Sequence, residues 1–304
     1  MQFIRKKKLA QKILFLDGLS GSGKSLVGPI ITSLKKSEYW VYDHLFEEIV
    51  VLLANNKIDL NSAQSLLRIH ADMNIYNLTI GRNVNFRPND HSGVDYGVMR
   101  KEFNKRLLIK DGDQISKKIL KENLWLPIMS HNILIYSNYL KKIFSDRNIF
   151  FISISRNPVK LIVDFYNGNW EKKINNNERE LFLTYKNNKG VSPWFLSTYS
   201  SRKTFIENYA EFVLFYCNYQ KKLQSNHYLI KFENFVKKPQ SDLNKLNKIL
   251  GSQTLATEKL LKLFNLPRNK EENNLKYELN IINKIIKNKK LNKKIHLACE
   301  SYFQ

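Results

Sequence analysis

Ile13-Leu14-Phe15-Leu16, then Gly18-Leu19-Ser20-Gly21-Ser22-Gly23-Lys24-Ser25, is the stretch that decides the fold. Four apolar residues form a short buried strand. Behind them a glycine, four residues and Gly-Lys-Ser match the phosphate-binding loop pattern. The glycines let the backbone curl so that successive amide N–H groups point at an anion. The helix expected from Lys24 through residue 36 adds its positive N-terminal end. Lys24 brings a mobile charge and Ser25 a hydroxyl. Strand, loop and helix in this order predict a site for a phosphorylated ligand, and leave the reaction open.

Strands and helices alternate along the rest of the chain. Tyr39 to Tyr42 reads as a second strand, closed by Asp43 and His44. Residues 44–55 and 59–80 carry apolar residues at helical spacing. Residues 81–98 are rich in turn formers. Leu124 to Ile128 is a third strand and Ile133 to Phe144 a helix. Ile149 to Ile154 is a nearly continuous apolar run, of the kind buried in a parallel sheet. Arg156-Asn157-Pro158 ends it and a helix follows. A polar insertion at about 168–200 is studded with Trp170, Tyr185, Trp194, Phe195 and Tyr199, which stack on a sugar or anchor the insertion to the core. A long helix over 202–224, a strand over His227 to Phe232 and a helix ending at Gly251 complete the series. The pattern predicts an α/β fold: a parallel sheet of the phosphate-binding-loop type, flanked by helices on both faces, with helical and loop insertions. We expect a single domain over 1–304, with a basic helical tail over about 255–304.

Composition narrows the class. Hydrophobic residues make up 43% of the 304, enough for a large core. The formal net charge of +23 suits an anionic partner, and heavy use of lysine throughout the chain gives the same total without one. No zinc finger or ribonucleoprotein pattern accompanies it, so no nucleic-acid partner is expected. Two isolated cysteines, Cys217 and Cys299, fit a reducing compartment. No apolar run reaches the length of a membrane span. The basic start lacks a cleavage site, so the expectation is a cytoplasmic protein without a signal peptide.

Three segments, taken in order, resemble the nucleotide-dependent sulfotransferase family. The first is the loop 18–25. The second is Phe150 to Pro158 running into Asp164-Phe165-Tyr166, similar to the family's apolar strand, Arg-Asn-Pro and helix. The third is Tyr228 to Phe235 with Lys238-Pro239 and Leu246 to Gly251. The resemblance implies a donor, 3'-phosphoadenosine 5'-phosphosulfate (PAPS), leaving as adenosine 3',5'-bisphosphate, with no metal. It implies a hydroxyl-bearing acceptor, a carbohydrate as we read it. Gly18, Ser20, Gly21, Ser22, Gly23, Lys24 and Ser25 would hold the donor's 5' end. Arg156 would hold its 3'-phosphate, with Asp164, Phe232 and Arg268 as further cofactor-binding positions.

Sulfuryl transfer needs charge withdrawn from the leaving phosphate and a proton taken from the acceptor. Lys24 is the candidate for the first role. His131, ending Leu126 to Ser130 much like the family's Lys-Thr-His segment, is the candidate base, with Asp43 and His44 as rivals. Arg82, Arg87 and His91 are further loop candidates. Two departures stand out. Asp164 takes the place of the family's 3'-phosphate serine, where it repels a phosphate unless it turns away or is offset by Arg156. The loop carries Gly-Lys-Ser, as kinase loops do, rather than Ser-Gly-Thr. The alternatives are therefore a small-molecule kinase using magnesium and ATP, and a nucleotide-binding protein without turnover.

Overall fold

A computed structural model of the chain describes residues 3–88, 90, 92–96, 100–110, 112–177, 182–184, 191–196, 199–223, 225–253, 258–268 and 275–303. Its strands are β1 (Lys12–Asp17), β2 (Val41–Tyr42), β3 (Trp125–Met129), β4 (Asn148–Ser155), β5 (Phe182–Thr184), β6 (Val191–Pro193) and β7 (His227–Lys231). Five of them form one sheet in the order β2-β3-β1-β4-β7. The pairs β2–β3, β3–β1 and β1–β4 are parallel. β1, which carries the phosphate-binding pattern, is central.

The pattern of β1 explains why both faces of the sheet are covered. Successive side chains point to opposite faces, and every residue from Ile13 to Asp17 is buried. Leu14 and Leu16 pack in one cluster with Val27 and Ile30 of the helix Lys24–Ile31, with Met129 and with Ile152. Phe15, on the opposite face, stacks on Phe151 at 5.3 Å between ring centroids. It also meets Phe46 of the helix His44–Ala54 and Phe144 beyond the helix Ser137–Ile143. A helix thus covers each side of the central strand.

Several elements are shorter than their sequence pattern. The first helix stops at Ile31 instead of reaching residue 36, because tertiary partners take the next backbone groups: Lys35 N–H donates to the Gln253 carbonyl, and Glu38 N–H to that of Trp125. β2 is only two residues long, Val41–Tyr42, rather than the four from Tyr39 to Tyr42. Ile133 to Phe144 opens with a turn of 3₁₀ helix before the α-helix Ser137–Ile143.

The chain divides into two compact units. One holds Met1–Gly18, Gly23–Ile154 and Ser225–Asn269; the other holds Leu19–Ser22, Ser155–Gln224 and Lys270–Gln304. The sheet belongs to the first, save for the last residue of β4. In the second, Asn157 caps the helix Pro158–Asn167 by accepting from Val159 N–H, with Pro158 at the first helical position. This is why Arg-Asn-Pro both ends a strand and starts a helix. The helices Leu275–Ile285 and Lys289–Phe303 pack on that helix through buried Ile282, Leu291, Ile295 and Tyr302. Within the insertion, Trp194 and Phe195 are buried and Phe195 meets Phe212, so these two aromatics anchor the segment. Tyr185 lies outside the described residues. No helix among the described residues is long and apolar enough to cross a membrane.

Candidate active site

The loop after β1 has the shape its glycines demand. Gly21 and Gly23 adopt φ of +79° and +96°, in the left-handed region that side chains resist. A Cβ on Gly23 would also meet the Phe232 ring at 2.2 Å. Phe232, read from sequence as a cofactor-binding position, is buried and packs against the loop at this point. Gly21 and Ser25 are exposed and Ser20 half-buried. Ser22 is buried, and its hydroxyl has no hydrogen-bond partner among the described residues. A buried orphan hydroxyl in a loop of amides suits an anion acceptor.

Lys24 is 6% exposed and its Nζ donates to the Gly18 carbonyl at 2.6 Å. Burial lowers its pKa from the ordinary 10.5 to about 8, while the carboxylates of Asp17 and Glu47 pull the other way. An ammonium with so little solvent is poised to gain from an anionic ligand. Asp17 ends β1, and its Oδ2 accepts from Leu134 N–H at 2.6 Å.

His131 follows β3 by two residues. Its main-chain N–H donates to Glu47 Oε1, its Nδ1 lies 3.8 Å from the same oxygen, and the Tyr42 hydroxyl sits on Nδ1. The Tyr42 ring lies edge-on between His44 and His131, at 4.4 and 4.6 Å. Burial, with the positive charges of Lys24 and His44, holds the His131 imidazole well below its usual pKa. Its side chain is nonetheless 38% exposed, so one edge meets solvent. The ring is neutral at pH 7, the form a base requires.

Asp43 is occupied otherwise. Its Oδ1 accepts from Leu45 N–H, capping the helix His44–Ala54, and its Oδ2 accepts from His70 Nε2 and Asn74 Nδ2, both at 2.6 Å. Burial alone would raise its pKa; the His70 and Asn74 hydrogen bonds outweigh that and hold the carboxyl below its usual range. His44 is exposed at the first position of that helix.

In the second unit, Arg156 Nη1 donates to the Gly21 carbonyl at 2.7 Å and to Asp164 Oδ2 at 3.3 Å. Asp164 Oδ1 lies 3.5 Å from Lys160 Nζ, which also pairs with Glu278 at 3.0 Å. The unexpected acid therefore faces two cations. Arg268 is half-buried, with its main-chain N–H on the Val236 carbonyl. Arg82 and Arg87 are exposed, and His91 lies outside the described residues.

Sequence reasoning missed Asp17, Tyr42 and Glu47. Asp17 had a signal, since an acid ending a wholly apolar strand has no solvent to face. Glu47 had a weaker one: it stands beside Phe46, Ile49 and Val50, on a helix whose apolar face leaves it little water.

A glycine-rich loop at the end of the central strand of a parallel five-stranded sheet defines an α/β protein. A family model described as the sulfotransferase domain matches residues 78–303, most of the chain and beginning after the loop. The chain belongs to this family and is a sulfotransferase, which sets aside the kinase alternative. Three solved structures are similar. The sulfotransferase domain from the curacin biosynthetic pathway is 13% identical at a TM-score of 0.44, covering 95% of this chain and 96% of that one. The sulfotransferase domain from the Synechococcus PCC 7002 olefin synthase is 12% identical at 0.47, covering 100% and 99%. A sulfotransferase from Alicyclobacillus acidocaldarius is 11% identical at 0.40, covering 96% and 98%. No curated protein matches the chain.

Proposed function

We propose that this sulfotransferase uses PAPS as its donor and a carbohydrate hydroxyl as its acceptor. One observation carries the donor: Arg156, following the buried β4, is fixed to the loop by the Gly21 carbonyl and held by Asp164. A guanidinium fixed in this way suits a second phosphate, apart from the one cradled by the loop amides. The orphaned Ser22 hydroxyl and the desolvated Lys24 fit an anionic donor as well. Exposed rings of Tyr166 and Trp170 in the same unit as Arg156 support a sugar acceptor, since aromatic faces pair with apolar sugar faces.

The donor supplies an activated sulfonate; this chain's residues do the rest. The loop amides, Ser20, Ser22 and Ser25 bind the 5' end, and Arg156 binds the 3'-phosphate. His131 takes the acceptor's hydroxyl proton as the acceptor oxygen bonds to sulfur. Lys24 neutralises the charge that the breaking sulfur–oxygen bond leaves on the phosphate oxygen. Positioning and electrostatics carry most of such a transfer, by analogy with phosphoryl transfer.

Calorimetry tests the donor. Adenosine 3',5'-bisphosphate should bind more tightly than ADP with magnesium, and turnover with PAPS should survive EDTA. Tighter binding of magnesium-ADP would remove the 3'-phosphate assignment.

A further inference from the structure

Glu47 is a buried acid, 5% exposed, for which the chemistry above has no use. It lies in the first turn of the helix His44–Ala54. Stability alone gives little reason to bury a carboxylate here, because taking an ion from water costs several kcal/mol unless its partners return it. Its contacts include two with His131, 84 residues away: the main-chain N–H, and Nδ1 at 3.8 Å.

We propose that Glu47 is a positioning residue for His131, pinning its main chain and holding a proton on Nδ1 so that Nε2 is the basic nitrogen. This rests on the reading of His131 as the base. The main-chain bond fixes where the chain turns after β3. The carboxylate beside Nδ1 favours the tautomer with hydrogen there, and the Tyr42 oxygen is placed to accept that hydrogen. Nε2 then keeps its lone pair for the acceptor hydroxyl. As Nε2 gains the proton, the ring becomes an imidazolium and the carboxylate stabilises it, in the way a carboxylate orients a histidine in acyl transfer. Tyr42 and His44 flank the ring, and Lys24 and His44 oppose its protonation by charge. Asp17 and Glu47 balance Lys24. Glu47 thus contacts the group that takes the proton and balances the charge of the group that steadies the leaving phosphate.

Glu47→Gln separates the two halves of the role. Its amide oxygen can still accept from His131 N–H, but the charge is gone. His131 is followed by proton NMR titration of the whole chain, its resonance assigned with His131→Asn, and kcat is measured against pH with PAPS. We expect the His131 midpoint in Glu47→Gln to fall by roughly half a pH unit or more, as for loss of a nearby opposite charge. The acid limb of the kcat profile should fall with it, since the base stays neutral to lower pH. kcat at its optimum should drop by about tenfold or more, a part of the roughly 10²–10⁴-fold that general-base catalysis supplies, with the donor KM within about twofold. Glu47→Asp should restore part of the lost kcat and of the His131 midpoint. An unchanged His131 titration in a folded Glu47→Gln protein would overturn the proposal, even if activity fell, because Glu47 would then be structural only. The titration needs no substrate. If it shifts as expected while His131→Asn keeps full turnover, the base assignment is what has failed, and the positioning role falls with it.

Discussion

Replacing Lys24 by methionine separates what this residue costs the fold from what it gives the reaction. Methionine keeps the length and the apolar stem but carries no charge. Burial takes the Lys24 pKa from 10.5 to about 8. At about 1.4 kcal/mol for each pH unit, the buried ammonium costs the folded protein roughly 3 kcal/mol at neutral pH. Against this, the substitution removes the donor to the Gly18 carbonyl, a loss of about 1–3 kcal/mol if that oxygen finds no water. The two terms nearly cancel at pH 7, so the net change there decides little, and the pH dependence decides instead. Between pH 8 and 10.5 the unfolded chain holds a proton on Lys24 that the folded protein has released. Wild-type stability relative to Lys24→Met must therefore rise with pH across that window, by up to about 3 kcal/mol in all. Below pH 8 both states are protonated and the difference is flat. Urea unfolding of both proteins at pH 7, 8.5 and 9.5, without nucleotide, measures it. Turnover with PAPS should meanwhile fall by about 10²–10³-fold in Lys24→Met, the scale of one lost preorganised contact to developing charge. A stability difference that is level from pH 7 to 9.5 would refute the argument that Lys24 is held desolvated.

The other expectations are narrower. Arg156→Ala should weaken adenosine 3',5'-bisphosphate by about 1.5–3 kcal/mol, the range for a hydrogen bond to a charged group, and 5'-AMP by much less; calorimetry giving equal losses would make Arg156 structural. Asp164→Ser should weaken the same nucleotide, because Asp164 orients Arg156, and tighter binding would show that its charge opposes the ligand instead. Gly23→Ala should lower both the melting temperature and donor binding: the left-handed backbone alone costs about 1–2 kcal/mol and the Phe232 ring must move. Adding Phe232→Leu should recover part of that loss in a thermal melt.

The sequence by itself determined the elements whose signals are local. The loop 18–25 announces itself because its glycines, lysine and serine must stand at set spacings. The buried β4 and the turn at Arg156 are legible because a proline and a capping asparagine act on their immediate neighbours. Alternation of apolar strands with helical periodicity determined the parallel sheet and the helices covering it. What only the tertiary structure decided lies between residues far apart in the chain. The pattern around Asp43 marks an acid at the end of a strand, and only the fold brings His70 and Asn74, 27 and 31 positions away, onto its outer oxygen. Asp164 looked misplaced until it met the cations of Arg156 and Lys160. His131 was one histidine of six, and its claim rests on Tyr42 and Glu47, 89 and 84 residues earlier. Nor does sequence report the desolvation of Lys24, since a pKa depends on the water and charges that the packed chain leaves around a group, and no residue pattern encodes them.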